Sequence, residues 1–337
     1  MANKETLKLI IDDVIPNAGA NESIWIVSAW EGLDKHLKNV SFRVEDPYRV
    51  ELDQFTVSVD ASDVVNLLKK AAATQGGFAS YLQHAIDDDL PMGACLTLEI
   101  TSELENLERY TLYHAVNVLL HQIMLAMNIA LPGSCQFIET YFEGSDAELF
   151  EAPEFDSAMF TNGWLSAFDA DWPTLKPLKF ADVWAWLERQ GTSETDTAIR
   201  ATNKVLFGLL ELSQQRNLFE ARDALLVAHM LEIMVSAEEN RQPNIVRDRM
   251  VAILGDPTPK ADSFNELYRL KRAMIRGDLP VRRPSLTFHD ADEEILQQLE
   301  AHNSPIEQAL AVLLGVLQDL VINKANGYQF SEQFSRF

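Results

Sequence analysis

Apolar and polar positions alternate along residues 49–59, where Val50, Leu52, Phe55, Val57 and Val59 approximate a two-residue period, and this pattern predicts a strand. The spacing then becomes helical over 61–74, with Val64, Val65, Leu67 and Leu68 on one side and Gly76-Gly77 as the stop. A second strand is predicted over 93–101 (Cys95, Leu96, Leu98, Ile100). A long helix over 106–130 follows, burying Leu112, Val116, Leu119, Leu120, Ile123, Met124 and Met127 and ended by Pro132-Gly133; a third strand covers 134–142. Strand, helix and strand in this order predict a small layered α/β or α+β domain.

Residues 143–179 read as irregular, broken by Pro153, Gly163, Pro173 and Pro177. Their apolar residues Phe155, Phe160, Trp164 and Trp172 mark an ordered crossover packed on a domain. Beyond it the pattern is helical only, over 180–190, 196–214, 218–237, 244–254, 264–276, 290–302 and 306–323. Trp184 and Trp186 stand two apart on the first of these, so they cannot both face one core and one must meet another element. No repeat of 20–50 residues is present. The expected organisation is an α+β N-terminal domain over 1–180 followed by an all-α helical bundle over 190–337, with the boundary at 175–195. A length of 337 residues fits two domains of about 150.

Composition narrows the class without changing this outline. With 47% hydrophobic and 23% charged residues the chain can bury a core, which excludes a disordered, collagen-like or disulfide-stapled protein. Two cysteines, Cys95 and Cys135, suit a reducing compartment and supply no zinc-ligand pair. The first residues turn acidic at Asp12-Asp13 and lack the apolar core of a signal peptide. The most apolar stretches, 116–131 and 306–322, carry His121, Gln122 and Asn128, or Glu307, Gln308 and Asp319, so neither is an uncharged run of about 18 apolar residues. The expectation is a cytoplasmic protein with no membrane contact. A net charge of -23 argues against indiscriminate binding of nucleic acid by the whole surface.

No glycine-rich phosphate loop, dinucleotide fingerprint or G-x-S-x-G elbow occurs, and no cofactor is expected. His114 and His121 are seven apart, whereas a helical metal pair wants three or four plus a carboxylate, so they read as packing or surface residues. Asp87-Asp88-Asp89 and the acids Glu99, Glu103, Glu105 and Glu108 read as solvated. No metal site is expected. His229 is expected to be packed within its helix, and His289 to sit at a helix start.

The informative region is 241–285. It holds ten basic residues against five acids, a local excess of +5 within an acidic chain. Inside it, Ser263 and Glu266 have capping-box spacing, and Gly277 and Pro280 stop the helix. Phe264, Leu267, Tyr268, Leu270, Met274 and Ile275 share a buried arc of roughly 160°. Arg269, Arg272 and Arg276 fall together on the adjoining flank, continued by Arg282 and Arg283. Guanidinium groups so spaced suit phosphate oxygens, and equally suit acids of a neighbouring helix or subunit.

Residues 265–277, Asn-Glu-Leu-Tyr-Arg-Leu-Lys-Arg-Ala-Met-Ile-Arg-Gly, resemble the late helix of Apea-like HEPN domains, which ends in a pattern such as L-Y-x-x-R-S-x-x-V-H-G. Residues 206–212 and 225–235 resemble the earlier helices of that family, 246–254 its R-x-A-x-L-L helix, and 306–322 with Phe330 and Phe334 its end. The resemblance covers about 195–337 and rests on one short motif plus helix order. It implies a helical bundle that dimerises. In the family an R-x4–6-H motif cleaves RNA without metal, the histidine moving protons and the arginine steadying the phosphate. Here Arg276 holds the histidine position, and Lys271 or Arg269 the arginine position at the two spacings. Guanidinium stays protonated where imidazole titrates, so a proton-transfer contribution of ~10²–10⁴-fold is lost unless another group supplies it. The expectation is a degenerate HEPN-type protein of a prokaryotic defence or toxin–antitoxin system. It would form a homodimer and bind RNA or an acidic protein through Arg269, Arg272, Arg276, Arg282 and Arg283. The alternatives are a metal-independent endoribonuclease with Lys271 and Arg276 as altered catalytic groups, or a structural protein whose first half is the sensor.

Overall fold

The computed structural model describes residues 3–46, 51–88, 90–104, 107–144, 150–214, 221–235, 243–261, 264–279 and 293–330. The chain divides into two compact units, one of residues 1–158, 176–199 and 213–215, the other of 159–175, 200–212 and 216–337. It therefore crosses between them several times, whereas the sequence suggested one passage near 175–195.

The first unit carries a five-stranded sheet in which every neighbouring pair is antiparallel. Its strands are β1 (Asn3–Asp13), β2 (Val40–Glu45), β3 (Leu52–Asp60), β4 (Ala94–Ser102) and β5 (Ile138–Phe142), in the order β2-β3-β4-β1-β5. Alternation decides which face is covered. Leu7, Leu9 and Ile11 of β1, Phe55, Val57 and Val59 of β3, and Leu96, Leu98 and Ile100 of β4 are buried, and the register aligns them as Leu9↔Leu96, Leu7↔Leu98 and Val57↔Ile100. Helices α1 (Ala20–His36), α2 (Ser62–Ala72), α3 (Gly77–Asp88), α4 (Arg109–Ala130) and α6 (Phe180–Gln190) complete this unit.

Helix α4 is buried on every side from Gln122 to Ala130, as befits a central helix rather than an amphipathic one. Buried Asn128 organises its end: Oδ1 accepts from the Gly133 N–H at 3.0 Å, and Nδ2 donates to the Cys135 carbonyl at 2.9 Å. Trp184 and Trp186 of α6 are both buried, because α6 packs against α1 and α4 together. Trp184 meets Phe42 of β2, Phe180 and His36. The segment after α6 covers part of the free edge of β2: the Glu45 N–H donates to Ser193 O at 3.3 Å, and Arg43 pairs with Glu194.

The second unit is helix-rich: α5 (Ala158–Ala170, from Met159 onward), α7 (Ala201–Ser213, to Leu212), α8 (Ala221–Val235), α9 (Pro243–Leu254), a 3-10 turn (Pro259–Ala261), α10 (Phe264–Arg276) and α11 (Glu293–Ile322). Two expectations are corrected. Residues 158–170 are helical, not irregular: Gly163 breaks nothing there, since its missing side chain lets α5 approach α11, where an added Cβ would stand 3.4 Å from the Ala311 nitrogen. The helices expected over 290–302 and 306–323 are one, running through Pro305. Proline forfeits a hydrogen bond and its ring crowds the preceding turn, yet its φ is helical, and the buried turns from Ile306 to Val321 outweigh the defect.

By length and composition α4 and the 303–322 part of α11 pass as membrane spans, but 78% and 83% of these stretches is buried within the protein.

Candidate functional site

Helix α10 carries the basic flank. Its C-terminus follows the sequence logic: Gly277 adopts φ +74°, its N–H donates to Met274 O at 3.1 Å, and the Asp278 N–H donates to Ala273 O at 2.9 Å, a Schellman pairing. Leu267, Tyr268 and Leu270 are buried, and α10 packs on α8 and α11. Ile275, assigned to the same buried arc by periodicity, is 68% exposed instead. It lies in the final turn, on the side shared with the exposed residues Arg272 and Arg276.

The basic residues have different environments. The Arg269 guanidinium forks onto Glu266 one turn earlier, with Nε 2.8 and 2.9 Å from the two carboxylate oxygens, and this bonding raises its affinity for the proton further. Lys271 reaches α8, where its ammonium pairs with Glu232, a carboxylate only 3% exposed, and stands 5.5 Å from the centre of the Tyr268 ring. Burial, and then the Glu232 charge, hold the Tyr268 phenol protonated far above its ordinary range. Lys271, Glu232 and Tyr268 thus form a charged clasp between α10 and α8.

Arg272 donates from Nε to the Tyr268 carbonyl at 3.3 Å, and its side chain remains exposed. Among the described residues, neither Arg272 nor Arg276 is paired with a carboxylate. Arg249 serves the fold: its Nη1 donates to Val235 O at 2.6 Å, at the end of α8, and its guanidinium lies 4.8 Å from the Phe330 ring. Arg282, Arg283, His289, Ser263 and Phe334 lie outside the described residues.

Glu232 drew no attention in the sequence, although it is the one acid within the apolar stretch 224–235 and such an isolated acid signals a buried partner. His229 is exposed on α8, against expectation, because Val227, Ala228, Met230 and Leu231 already fill the inward side.

In the first unit, His114 and His121 are not joined by a metal-ligand set. His114 Nε2 lies 3.1 Å from Glu45 O and 3.6 Å from Asp196 Oδ1. His121 sits edge-on to Phe155 at 5.3 Å, and burial, with His114 nearby, lowers its pKa to about 4. Among the described residues no cluster of three His, Cys, Asp or Glu side chains is arranged to hold a metal ion. No protein-family model matches the chain, and no curated protein or solved structure matches it either.

Proposed function

We infer that the protein is a binding component whose α10 receives an acidic macromolecular partner, in the manner of a degenerate HEPN-type protein of a prokaryotic defence or toxin–antitoxin system, with the helical unit forming a homodimer. The observation that carries this reading is the pairing state of α10. Arg272 and Arg276 are exposed one turn apart and bear no carboxylate among the described residues, with exposed Ile275 beside them. A surface that mixes two guanidinium groups with a large aliphatic side chain suits an acidic protein face better than a bare phosphate backbone, since Ile275 gains only by meeting apolar atoms. RNA remains the alternative partner. The order of α7 to α11 and the motif at 265–277 support the HEPN reading.

The nuclease alternative is less well supported. It asks Lys271 to steady a phosphate, yet that ammonium is engaged by Glu232, and a guanidinium at position 276 cannot move a proton at neutral pH.

The test uses the full chain and two fluorescent probes, a polyglutamate peptide and a single-stranded RNA, followed by anisotropy at increasing salt. Polyglutamate is expected to bind with strong salt dependence, and Arg272→Glu/Arg276→Glu is expected to weaken it by about tenfold or more at unchanged circular dichroism. RNA binding lost in the same variant would transfer the surface to a nucleic-acid partner. Equal affinity of variant and wild type for both probes would overturn the assignment.

A further inference from the structure

The outer side of β2, the strand at one end of the sheet, is closed at Glu45 and open at Ser41 and Arg43. Just past the strand, the Asp46 N–H donates toward β3, to Glu51 O at 2.8 Å, and the Glu45 N–H turns the other way. Both edge groups of Glu45 are taken, the N–H by Ser193 O at 3.3 Å and the carbonyl by His114, whose Nε2 lies 3.1 Å away. Alternate residues of an antiparallel strand present N–H and C=O to the same side, so Ser41 and Arg43 face outward with Glu45. Among the described residues no group takes the backbone N–H or C=O of either. Glu194 reaches Arg43 through side chains alone.

Open edges are commonly guarded by proline, a bulge or a charge. Residues 41–44 hold no proline, their register with β3 is unbroken, and their one charge, Arg43, is neutralised by Glu194.

We propose that this edge pairs with the same edge of a second copy of the chain, antiparallel about a two-fold axis at Phe42, so that Ser41 of each copy faces Arg43 of the other and the two sheets become continuous. The register follows from two stops. Arg43 opposite Arg43 would set Ser41 against Glu45, whose edge groups are taken. Ser41 opposite Ser41 would call on Asn39, where φ of +56° turns the chain off the strand. Ser41 opposite Arg43 uses every open group, each facing pair exchanging both of its N–H···O bonds. The charges agree with the same arrangement. Lys35 and Lys38 precede β2, whereas Glu45 and Asp46 end it, with Glu194 and Asp196 alongside through Arg43 and Glu45. Antiparallel pairing brings the basic end of each copy to the acidic end of the other, a reciprocity that an unrelated strand would not supply. The contact lies in the first unit and depends neither on α10 nor on dimerisation of the helical unit.

Site-specific cross-linking of the full chain reads this register directly. Two variants are made in a Cys95→Ser background, one with Ser41→Cys and one with Arg43→Cys; Cys135 is buried. Facing residues of a hydrogen-bonded pair stand about 5.5 Å apart at Cα, within disulfide reach. Oxidation is carried out at physiological ionic strength, which screens the repulsion between two chains of net charge -23. The mixture of the two variants is expected to form a covalent dimer and neither variant alone to do so. Excess wild-type chain should suppress the cross-link. Ser41→Pro, which removes an N–H that no bond within the chain uses, should need about tenfold more to do the same. If Ser41→Pro does not fold, the cross-linking pattern still decides. No cross-link in the mixture, cross-linking of either variant with itself, or equal competition by a folded Ser41→Pro chain overturns the proposal.

Discussion

Arg269 and Lys271 stand two residues apart on α10, and their ion pairs differ in kind. The Arg269–Glu266 pair is exposed and lies within one helix, so Arg269→Ala is expected to cost less than about 0.5 kcal/mol in a urea titration. Lys271 faces a carboxylate that is almost wholly buried. Lys271→Met would strand that charge and is expected to cost about 3 kcal/mol, whereas the double change Lys271→Met/Glu232→Met should recover most of the loss, since neither charge is then left alone. A double variant as unstable as the single one would rule out the clasp. His121 makes a second residue-level prediction. Its folded imidazole titrates at about 4 and its unfolded one near 6.5, so between these values the unfolded chain takes up a proton that the folded chain refuses. The stability tied to this residue is complete above about pH 6.5 and drains away as the pH falls toward 4, by at most about 3 kcal/mol. His121→Phe should flatten that acid limb of the stability curve. Asp13 works in the opposite sense: burial raises its carboxyl, and Asp13→Asn, which keeps an oxygen for the Ile15 N–H and Gln136, should raise stability at neutral pH. At this scale the sequence showed where the charges stand but not their partners. Periodicity placed Arg269, Lys271, Arg272 and Arg276 on α10, while Glu232 lies 39 residues from Lys271 and only packing brings them together.

Elements with a clean period were legible, and those whose signal was carried by tertiary contacts were not. Strands β3 and β4 and helices α2, α4, α6 and α10 lie where alternation or helical spacing put them: α4 is apolar through its length, the others carry an apolar face, and a Gly or Pro follows the helices or lies near. Helix α1 was missed: it exposes Ile24 and Trp25 while burying Ser23, so its pattern contradicts its placement. Ser23 explains the exception. Its hydroxyl donates to Gly19 O at 2.6 Å and accepts from the Phe78 N–H at 2.9 Å, fastening the start of α3 to the start of α1. Gly77 lies in that junction with φ +72°, and a Cβ there would stand 2.7 Å from the Ala20 Cα. Gly77→Ala is accordingly expected to cost roughly 2 kcal/mol or more, combining left-handed strain with a backbone collision, and thermal unfolding would register it. A cost below about 0.5 kcal/mol would mean that the junction yields. Strand β1 is not among the expected elements, although Leu7, Leu9 and Ile11 alternate with Lys8 and Asp12; Glu5 on the inward phase and Ile10 on the outward one break the pattern.

For the whole molecule, a net charge of -23 means that the folded state works against its own repulsion. Raising the salt from low to physiological ionic strength should therefore raise the melting temperature, even as it weakens partner capture by α10. A melting temperature that falls with salt would show that attractive surface pairs dominate. The interleaved course of the backbone bears on how this protein can be taken apart. Residues 159–175 belong with the later helices and 176–199 with the sheet, so scissors placed at 190 would produce no natural half. The leading fragment would carry α5 with its binding face for α11 bare, and the trailing one would leave the α11 groove that receives Gly163 unfilled. Neither piece is expected to remain monomeric alone, whereas the two produced together should reassociate, as a split reporter does.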